Sequence, residues 1–338
     1  MSLAEARRRY FKVRTLRESG GDPIDERDRE IAVKRVATER DAQRWSVATL
    51  IEHHVEESPS GADKKRSWAA DFANLRRDIP AVWLERSADS ITRGEVREFH
   101  AKVAKRAPRV AALVIAALRK PFNRGIDAGV IESNPCDRIR TAQATSRERY
   151  LSDTELRSVF VNLGAALSSD HADVLMLSLW TAARRNEVIG LSWAELDLGL
   201  GMWRLPGART KNGKPHEVPL PRQAVALLHD RRQRVKGSRV FPSPRDPSRS
   251  ISPHNFSHAV RRAAPTFGLE LFTPHDLRRT VATHLTRDEQ CHRVVLERIL
   301  NHTDRSVTAH YDRHNYDMES RRVVQRWADR LDALAEPP

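Results

Sequence analysis

Only two cysteines, Cys136 and Cys291, occur in a chain of 338 residues. That is too few for a disulfide framework, and no C-x-x-C spacing suggests zinc, so the sequence predicts a reducing, cytoplasmic home and no bound metal. Long apolar runs are also missing. The longest, Val110 to Leu118, is closed off by Arg109 and Arg119 and falls well short of the ~20 residues that a bilayer-crossing helix requires, so no membrane partner is expected. Met1-Ser2 leads straight into Ala4-Glu5-Ala6-Arg7-Arg8-Arg9, which predicts no signal peptide. Acidic side chains are outnumbered, 45 against 59 basic, for a formal charge of +14 and a pI near 10.4. With 14 glycines and 39 % hydrophobic residues, and with neither a Gly-X-Y period nor sustained heptads, collagen-like, coiled-coil and wholly disordered classes are excluded.

What is present begins with length and the placement of charge. Cores usually split into units of roughly 100–200 residues, so this chain is expected to form two domains. Residues 101–150 hold 11 basic and 4 acidic side chains, and residues 201–250 hold 12 and 3. The surpluses of these two blocks together exceed that of the whole chain, which leaves the rest close to neutral. A charge confined to two segments reads as two jaws on one polyanion rather than as a solubility coat.

Along the chain, residues 2–18 predict a helix that stops near Gly20-Gly21-Asp22-Pro23, and a second, charge-rich helical stretch runs from Glu26 to about Arg44. From Val47 to about Ile139 the apolar residues recur at helical spacing, for four or five helices and no strand. Thr92 and Glu95 make a capping box. Asn134-Pro135 is read as closing the last helix, and the polar stretch from Thr141 to Arg149 as the linker. After Tyr150 come helices at 153–167, 172–183 and 184–193. Two short strands, Met202 to Leu205 and His216 to Leu220, then flank Thr210-Lys211-Asn212-Gly213-Lys214. An Asn-Gly pair between strand-like runs predicts a hairpin, with Lys211 at its tip. Helices follow at about 222–235, 253–266, 274–286, 292–300 and 305–314. The last, Met318 to Leu334, carries one apolar stripe of Val323, Trp327, Leu331 and Leu334. Trp83, Trp180 and Trp193 are expected in the core.

Three stretches set cations or proton donors at structural termini. Arg184, with Glu187 one turn on, begins a helix after Thr181-Ala182-Ala183. In Thr273-Pro274-His275-Asp276-Leu277-Arg278, threonine caps and proline opens a helix, so His275 and Arg278 share a face at i,i+3. The third stretch runs from Leu300-Asn301-His302 to His310-Tyr311, with a possible cap at Asp304.

The set Arg184, Lys211, His275-x-x-Arg278, His302 and Tyr311 resembles, in order and spacing, the active site of the tyrosine recombinase (phage integrase) family. That family's pattern is T-G-x-R-x-x-E, a lysine in a β-hairpin, H-x-L-R, and L-G-H followed nine residues after its histidine by the tyrosine. The same nine separate His302 from Tyr311. Residues 46–140 resemble the family's helical core-binding domain. Residues 1–45 are similar to the end of the arm-binding module of genomic-island and satellite-phage integrases, whose preceding β-rich portion this chain is expected to lack. Two positions depart from the pattern, Ala182 and Asn301, each standing where the family usually has glycine; small geometric changes are expected there.

The resemblance implies a mainly α (α+β) fold. A helical DNA-clamping domain (46–140) and a linker (141–149) would precede a catalytic domain (150–338) of helices with a small antiparallel β-sheet. It implies a site-specific recombinase that needs no cofactor. Arg184, Arg278 and His302 would stabilise the charge developing on the phosphate, and His275 would donate a further hydrogen bond and help to remove a proton. Lys211 would protonate the departing 5′-oxygen, and Tyr311 would be the nucleophile, with Tyr316 a rival. Glu187 and Asp276 are read as orienting or capping groups. Lys102, Lys105, Arg106, Arg109, Arg119, Lys120 and Arg124 are candidates for DNA contact. The expected partners are duplex DNA at attachment sites, a homotetramer of this chain, and a directionality or host DNA-bending factor. The terminal helix would pack either on its own domain or on a neighbouring subunit. Two other functions stay open, a type IB topoisomerase-like DNA-relaxing enzyme and a DNA-binding remnant that does not cut. A metal reading of His310 and His314 lacks a carboxylate or cysteine partner.

Overall fold

The computed structural model describes residues 2–29, 31–32, 44–56, 75, 77–141, 148–288, 291–302 and 316–336. The chain divides into two compact units, residues 1–146 and 147–338. Among the described residues no helix is long and apolar enough to cross a membrane.

The first unit opens with α1 (Leu3–Glu18), capped by Ser2 and Glu5, which buries none of its residues. Residues 23–29 are also helical. The core is built from α2 (Val47–Glu56), α3 (Ala81–Leu84), α4 (Arg93–Arg106) and α5 (Pro108–Asp127). Apolar positions spaced three or four apart on α2, α4 and α5 meet in one cluster, which includes Leu50, Ile51, Val96, Phe99, Val114, Ile115 and Phe122. Trp83 packs on Phe99 with ring centroids 5.3 Å apart. The Thr92–Glu95 capping box forms as the sequence predicts: the Glu95 amide donates to the Thr92 hydroxyl (3.2 Å) and the Thr92 amide to the Glu95 carboxylate (2.8 Å). Asn134-Pro135 does not close α5. The helix stops at Asp127, and Gly129 takes a left-handed φ of 71°, a conformation open to glycine without a Cβ penalty. Asn134 instead plugs the following loop onto the helix. Its buried amide donates to the Arg119 carbonyl (2.9 Å) and the Asn123 side chain (2.6 Å), and its oxygen accepts from the Cys136 amide (2.8 Å).

The second unit contains α6 (Asp153–Ala166), α7 (Ser169–Thr181), α8 (Arg185–Ile189), β1 (Leu196–Asp197), β2 (Met202–Leu205), β3 (His216–Pro219), α9 (Arg222–Arg234), α10 (Pro253–Ala263), α11 (Pro274–Arg287), α12 (Arg293–Ile299) and α13 (Asp317–Ala335). The three strands form one antiparallel sheet in the order β1-β2-β3, with Trp203 facing Val218 and Leu205 facing His216. β1 is too short for any periodicity and is not legible in the sequence. The core gathers Trp203, Phe241, Phe256, Phe267, Phe272 and Trp327. Trp83 and Trp180 are core residues as expected, whereas Trp193 is half-buried at the rim with the Arg232 guanidinium 4.8 Å above its ring. Arg231, 1 % exposed, is tied to Asp173 (2.6 Å), Asp170 (2.7 Å) and the Val240 carbonyl (3.0 Å). A buried guanidinium is tolerated only with such complete pairing.

Helix α13 packs on its own unit. Val323, Trp327 and Leu331 are buried, Trp327 completely, and the Trp327 indole N–H donates to the Leu179 carbonyl (2.8 Å). The ring stacks on His284 at 5.3 Å. His284 in turn spans Asp288 (Nδ1, 2.8 Å) and the Leu151 carbonyl (Nε2, 2.9 Å), while Arg330 of α13 bridges Asp153 (2.8 Å) and Asp288 (2.9 Å). Of the two packings left open by the sequence, the apolar stripe thus takes the one on its own domain.

Candidate active site

Two arginines organise the site, and both are held by corners of backbone in the left-handed region. At the end of α7, Ala182 has φ 53° and ψ 14°. This turn aims the Ala182 carbonyl at Arg278, whose Nη1 donates to it at 2.5 Å. The end of α12 is a Schellman turn: the His302 amide donates to the Glu297 carbonyl and the Asn301 amide to the Arg298 carbonyl, both at 2.9 Å, with Asn301 at φ 46°. Such turns place glycine, or less often asparagine, at that residue. This corner presents two carbonyls: Leu300's accepts from Arg278 Nη2, and Asn301's accepts from Arg184 Nη2 at 3.4 Å. Both departures from the glycine pattern therefore occupy backbone that glycine would take most easily.

Arg184 precedes α8, and Glu187 fixes it twice, accepting from its backbone amide (2.8 Å) and from Nη1 (3.1 Å). The Glu187 carboxylate is nearly fully buried, so it orients the arginine instead of facing solvent. Arg278 rises from the first turns of α11, where Thr273 and Asp276 form the cap: the Asp276 carboxylate accepts from the Thr273 amide (2.9 Å) and hydroxyl (2.8 Å). Asp276 is thus a capping group. Burial, aggravated by the neighbouring Arg184 charge, pushes Arg278 down to about 10, which leaves it cationic at neutral pH. Glu187 offsets part of the repulsion between the two guanidiniums, and an anion in front of them would offset more.

His275 is exposed one turn before Arg278, and His302 is exposed beyond the α12 corner. Partial burial, followed by the Arg279 and Arg278 charges, holds His275 below the ordinary histidine range. For His302 the causes are burial, then Arg278 and Arg184, with Lys211 adding a smaller push. Both imidazoles are therefore neutral at pH 7 and can donate through one ring N–H. Lys211 lies exposed in the connection between β2 and β3. That connection, residues 206–215, is longer than the two-residue turn its Asn-Gly pair suggested. Only Gly213 has a positive φ, at 75°. The Thr210 hydroxyl lies 2.9 and 2.8 Å from the Gly207 and Lys214 carbonyls, and a β-carbon on Gly207 would run into the Gly213 carbonyl, so the turn closes only with glycine there.

The Arg184 charge thus reaches His275, Arg278 and His302, and the Lys211 charge reaches His302. Tyr311, with Asp304, His310, His314 and the helix expected at 305–314, lies outside the described residues, as do residues 33–43, residues 57–74 of the predicted helical stretch and residues 142–147 of the expected linker. Tyr316 is described, half-buried and with φ 49°. One residue was missed from the sequence. His216 on β3 hydrogen-bonds the Ile299 carbonyl, and burial pushes it down to about 4 while Glu187, Arg298 and Arg278 act on it. A single histidine in a short strand gives no signal by pattern.

The seven cations proposed for DNA contact lie in the first unit and are unlike one another. Lys102, Lys105, Arg106 and Arg109 are exposed on α4 and α5, but Arg106 pairs with Asp78 at 2.7 Å. Arg119 donates to the Cys136 carbonyl at 3.0 Å and so holds the loop after α5. Lys120 and Arg124 flank His54, which burial and these two charges push down to about 4.

Two guanidiniums with neutral imidazole donors beside them can stabilise an oxyanion on which charge develops. The phage integrase family model matches residues 149–318, and the chain belongs to that family of tyrosine-type recombinases. It is 25 % identical over 348 aligned residues to prophage integrase IntZ of Escherichia coli K12, with 99 % of this chain and 82 % of that protein covered. Its structure resembles a lambda integrase dimer bound to a COC' core site, at 16 % identity and a TM-score of 0.63, covering 82 % of this chain and 80 % of that one. It also resembles a lambda integrase tetramer bound to a Holliday junction, at 17 % identity and a TM-score of 0.62, covering 79 % and 80 %. At such identities the structural likeness establishes the fold.

Proposed function

We propose that this protein cuts and rejoins duplex DNA at attachment sites, integrating or excising a mobile element through a 3′-phosphotyrosyl intermediate. Tyr311 attacks the scissile phosphorus. Its proton passes toward His275, which is neutral and able to accept it, because a phenol with an unperturbed pKa of about 10 needs help to ionise. As the Tyr–O–P bond forms, negative charge grows on the nonbridging oxygens, where Arg184 and Arg278 offer forked donors and His302 adds one more. The bond from phosphorus to O5′ breaks, and Lys211 gives its proton to that oxygen. Reversal by a second 5′-hydroxyl religates the strand, with the bond energy conserved in the phosphotyrosine.

The observation that carries this reading is the pair Arg184 and Arg278, locked by Glu187 and by carbonyls from two left-handed corners, with Lys211, His275 and His302 around them. The working unit is a homotetramer on two duplexes, assisted by a directionality or host DNA-bending factor. Lys102, Lys105 and Arg109 supply phosphate contacts from the first unit. A two-site recombination assay on the DNA junctions flanking the element, run beside plasmid relaxation, tests the function. Exchange between two sites is the expected result. Relaxation without exchange would instead mark a topoisomerase-like enzyme, and binding without cleavage a remnant.

A further inference from the structure

We propose that Asn212 and Asn301 form a latch that docks the Lys211 turn on the corner carrying His302, making both asparagines positioning residues for protonation of the leaving group. This rests on the reading of Lys211 as the general acid. The Asn212 side-chain amide donates to the Asn301 side-chain oxygen at 2.9 Å. Asn212 also accepts from the Lys214 backbone amide at 3.1 Å. One side chain thus grips both its own turn and the neighbouring corner, and Lys211 is its immediate neighbour in sequence. Asn301 serves at once through its backbone and its side chain. Its left-handed φ is what the Schellman turn requires, its carbonyl accepts from Arg184, and its side chain reaches the hairpin. Glycine in its place would satisfy the backbone and leave the hairpin unheld.

The hairpin then has two tethers. At its base, His216 hydrogen-bonds the Ile299 carbonyl; at its tip, Asn212 meets Asn301. Both attach it to the end of α12. With the base fixed, the tip contact decides where the exposed Lys211 ammonium points, and its charge already reaches His302. The latch is also weak. The Asn301 amide nitrogen is buried without a hydrogen-bond partner, which discounts the one bond that is made, and a single neutral hydrogen bond shifts an equilibrium by only about two- to tenfold. A contact of that strength favours the docked turn and still releases it when a phosphate competes.

Two measurements on the full chain test this. In the DNA-free protein, amide hydrogen exchange over residues 208–214 is expected to quicken about two- to tenfold in Asn212→Ala and in Asn301→Gly, and the double variant to be no faster than Asn212→Ala alone, which already loses both the latch and the Lys214 contact. Unchanged exchange in both single variants would overturn the latch. The second measurement is single-turnover cleavage of the junction duplex that recombines in the two-site assay, compared with the same duplex carrying sulfur at the bridging 5′ position. A thiolate leaves without a proton, so the two- to tenfold slowing expected of the asparagine variants on oxygen should vanish on sulfur, as should the larger slowing of Lys211→Ala. If Lys211→Ala is not rescued by sulfur, the general-acid reading fails while the exchange result still decides the latch. If Lys211→Ala is rescued but the asparagine variants are slow on both substrates, their positioning role is overturned.

Discussion

Ala182 and Asn301 do with side chains what a glycine would do without one. Each bends the chain through the left-handed region so that a carbonyl meets a guanidinium, Arg278 for Ala182 and Arg184 for Asn301. For alanine that conformation costs about 1–2 kcal/mol relative to glycine, offset in part by the extra freedom glycine brings to the unfolded chain. Ala182→Gly is therefore expected to stabilise the protein by about 1 kcal/mol and to raise its melting temperature by roughly 2–4 °C in calorimetry; a lower melting temperature would show that the corner is not strained. His216 sets a pH dependence of its own. Unfolded, it titrates near 6.5; folded, it is held at about 4. Between those values the unfolded chain binds a proton that the folded chain refuses, so stability is fully present above pH 6.5 and is lost as the pH falls toward 4. Urea unfolding at pH 7 and pH 5 is expected to show a smaller acid loss in His216→Gln than in the parent, and equal losses would rule the residue out as the cause.

At the scale of elements, what was legible in the sequence followed from chemistry that acts locally. Thr92 with Glu95, and Thr273-Pro274 with Asp276, announce helix starts because their side chains satisfy amides a turn away. The Asn212-Gly213 pair marked the connection that carries Lys211. The features that stayed hidden depend on distant partners. Asn134 reads as a stop signal beside proline, yet it reaches back to Arg119 and Asn123. β1 exists only because β2 pairs with it. The α13 stripe was visible, but not the surface it would cover, since that surface is assembled from α6, α7 and His284. Trp327 is the centre of that surface, completely buried and hydrogen-bonded to Leu179. Trp327→Ala is expected to destabilise the second unit by about 3–5 kcal/mol in denaturant unfolding. A loss below about 1 kcal/mol would mean that α13 is only loosely attached.

For the molecule as a whole, the proposed function assigns the +14 surplus to binding and the donors around Arg184 and Arg278 to chemistry. The first unit's cations differ in their surroundings. Lys102, Lys105 and Arg109 are exposed, whereas Arg119 is occupied with the Cys136 carbonyl. Removing one cation that meets a phosphate should reduce the slope of log affinity against log salt by about 0.9. The triple variant Lys102→Ala, Lys105→Ala, Arg109→Ala is expected to flatten that slope by roughly 2.7, measured by titrating duplex DNA between 50 and 200 mM salt. Arg119→Ala should lower the stability of the unit and leave the slope nearly unchanged. An unaltered slope in the triple variant would remove those three residues from the DNA interface.

Covalent attachment of Tyr311 to a 3′-phosphate on strand breakage, as proposed above, is tested by a nicked junction duplex that traps the cleaved state. The expected result is a covalent protein–DNA adduct whose phosphorylated peptide contains Tyr311, and a Tyr311→Phe variant that binds the same duplex with undiminished affinity and forms no adduct. An adduct of full yield in Tyr311→Phe, or one mapped to Tyr316, would contradict it.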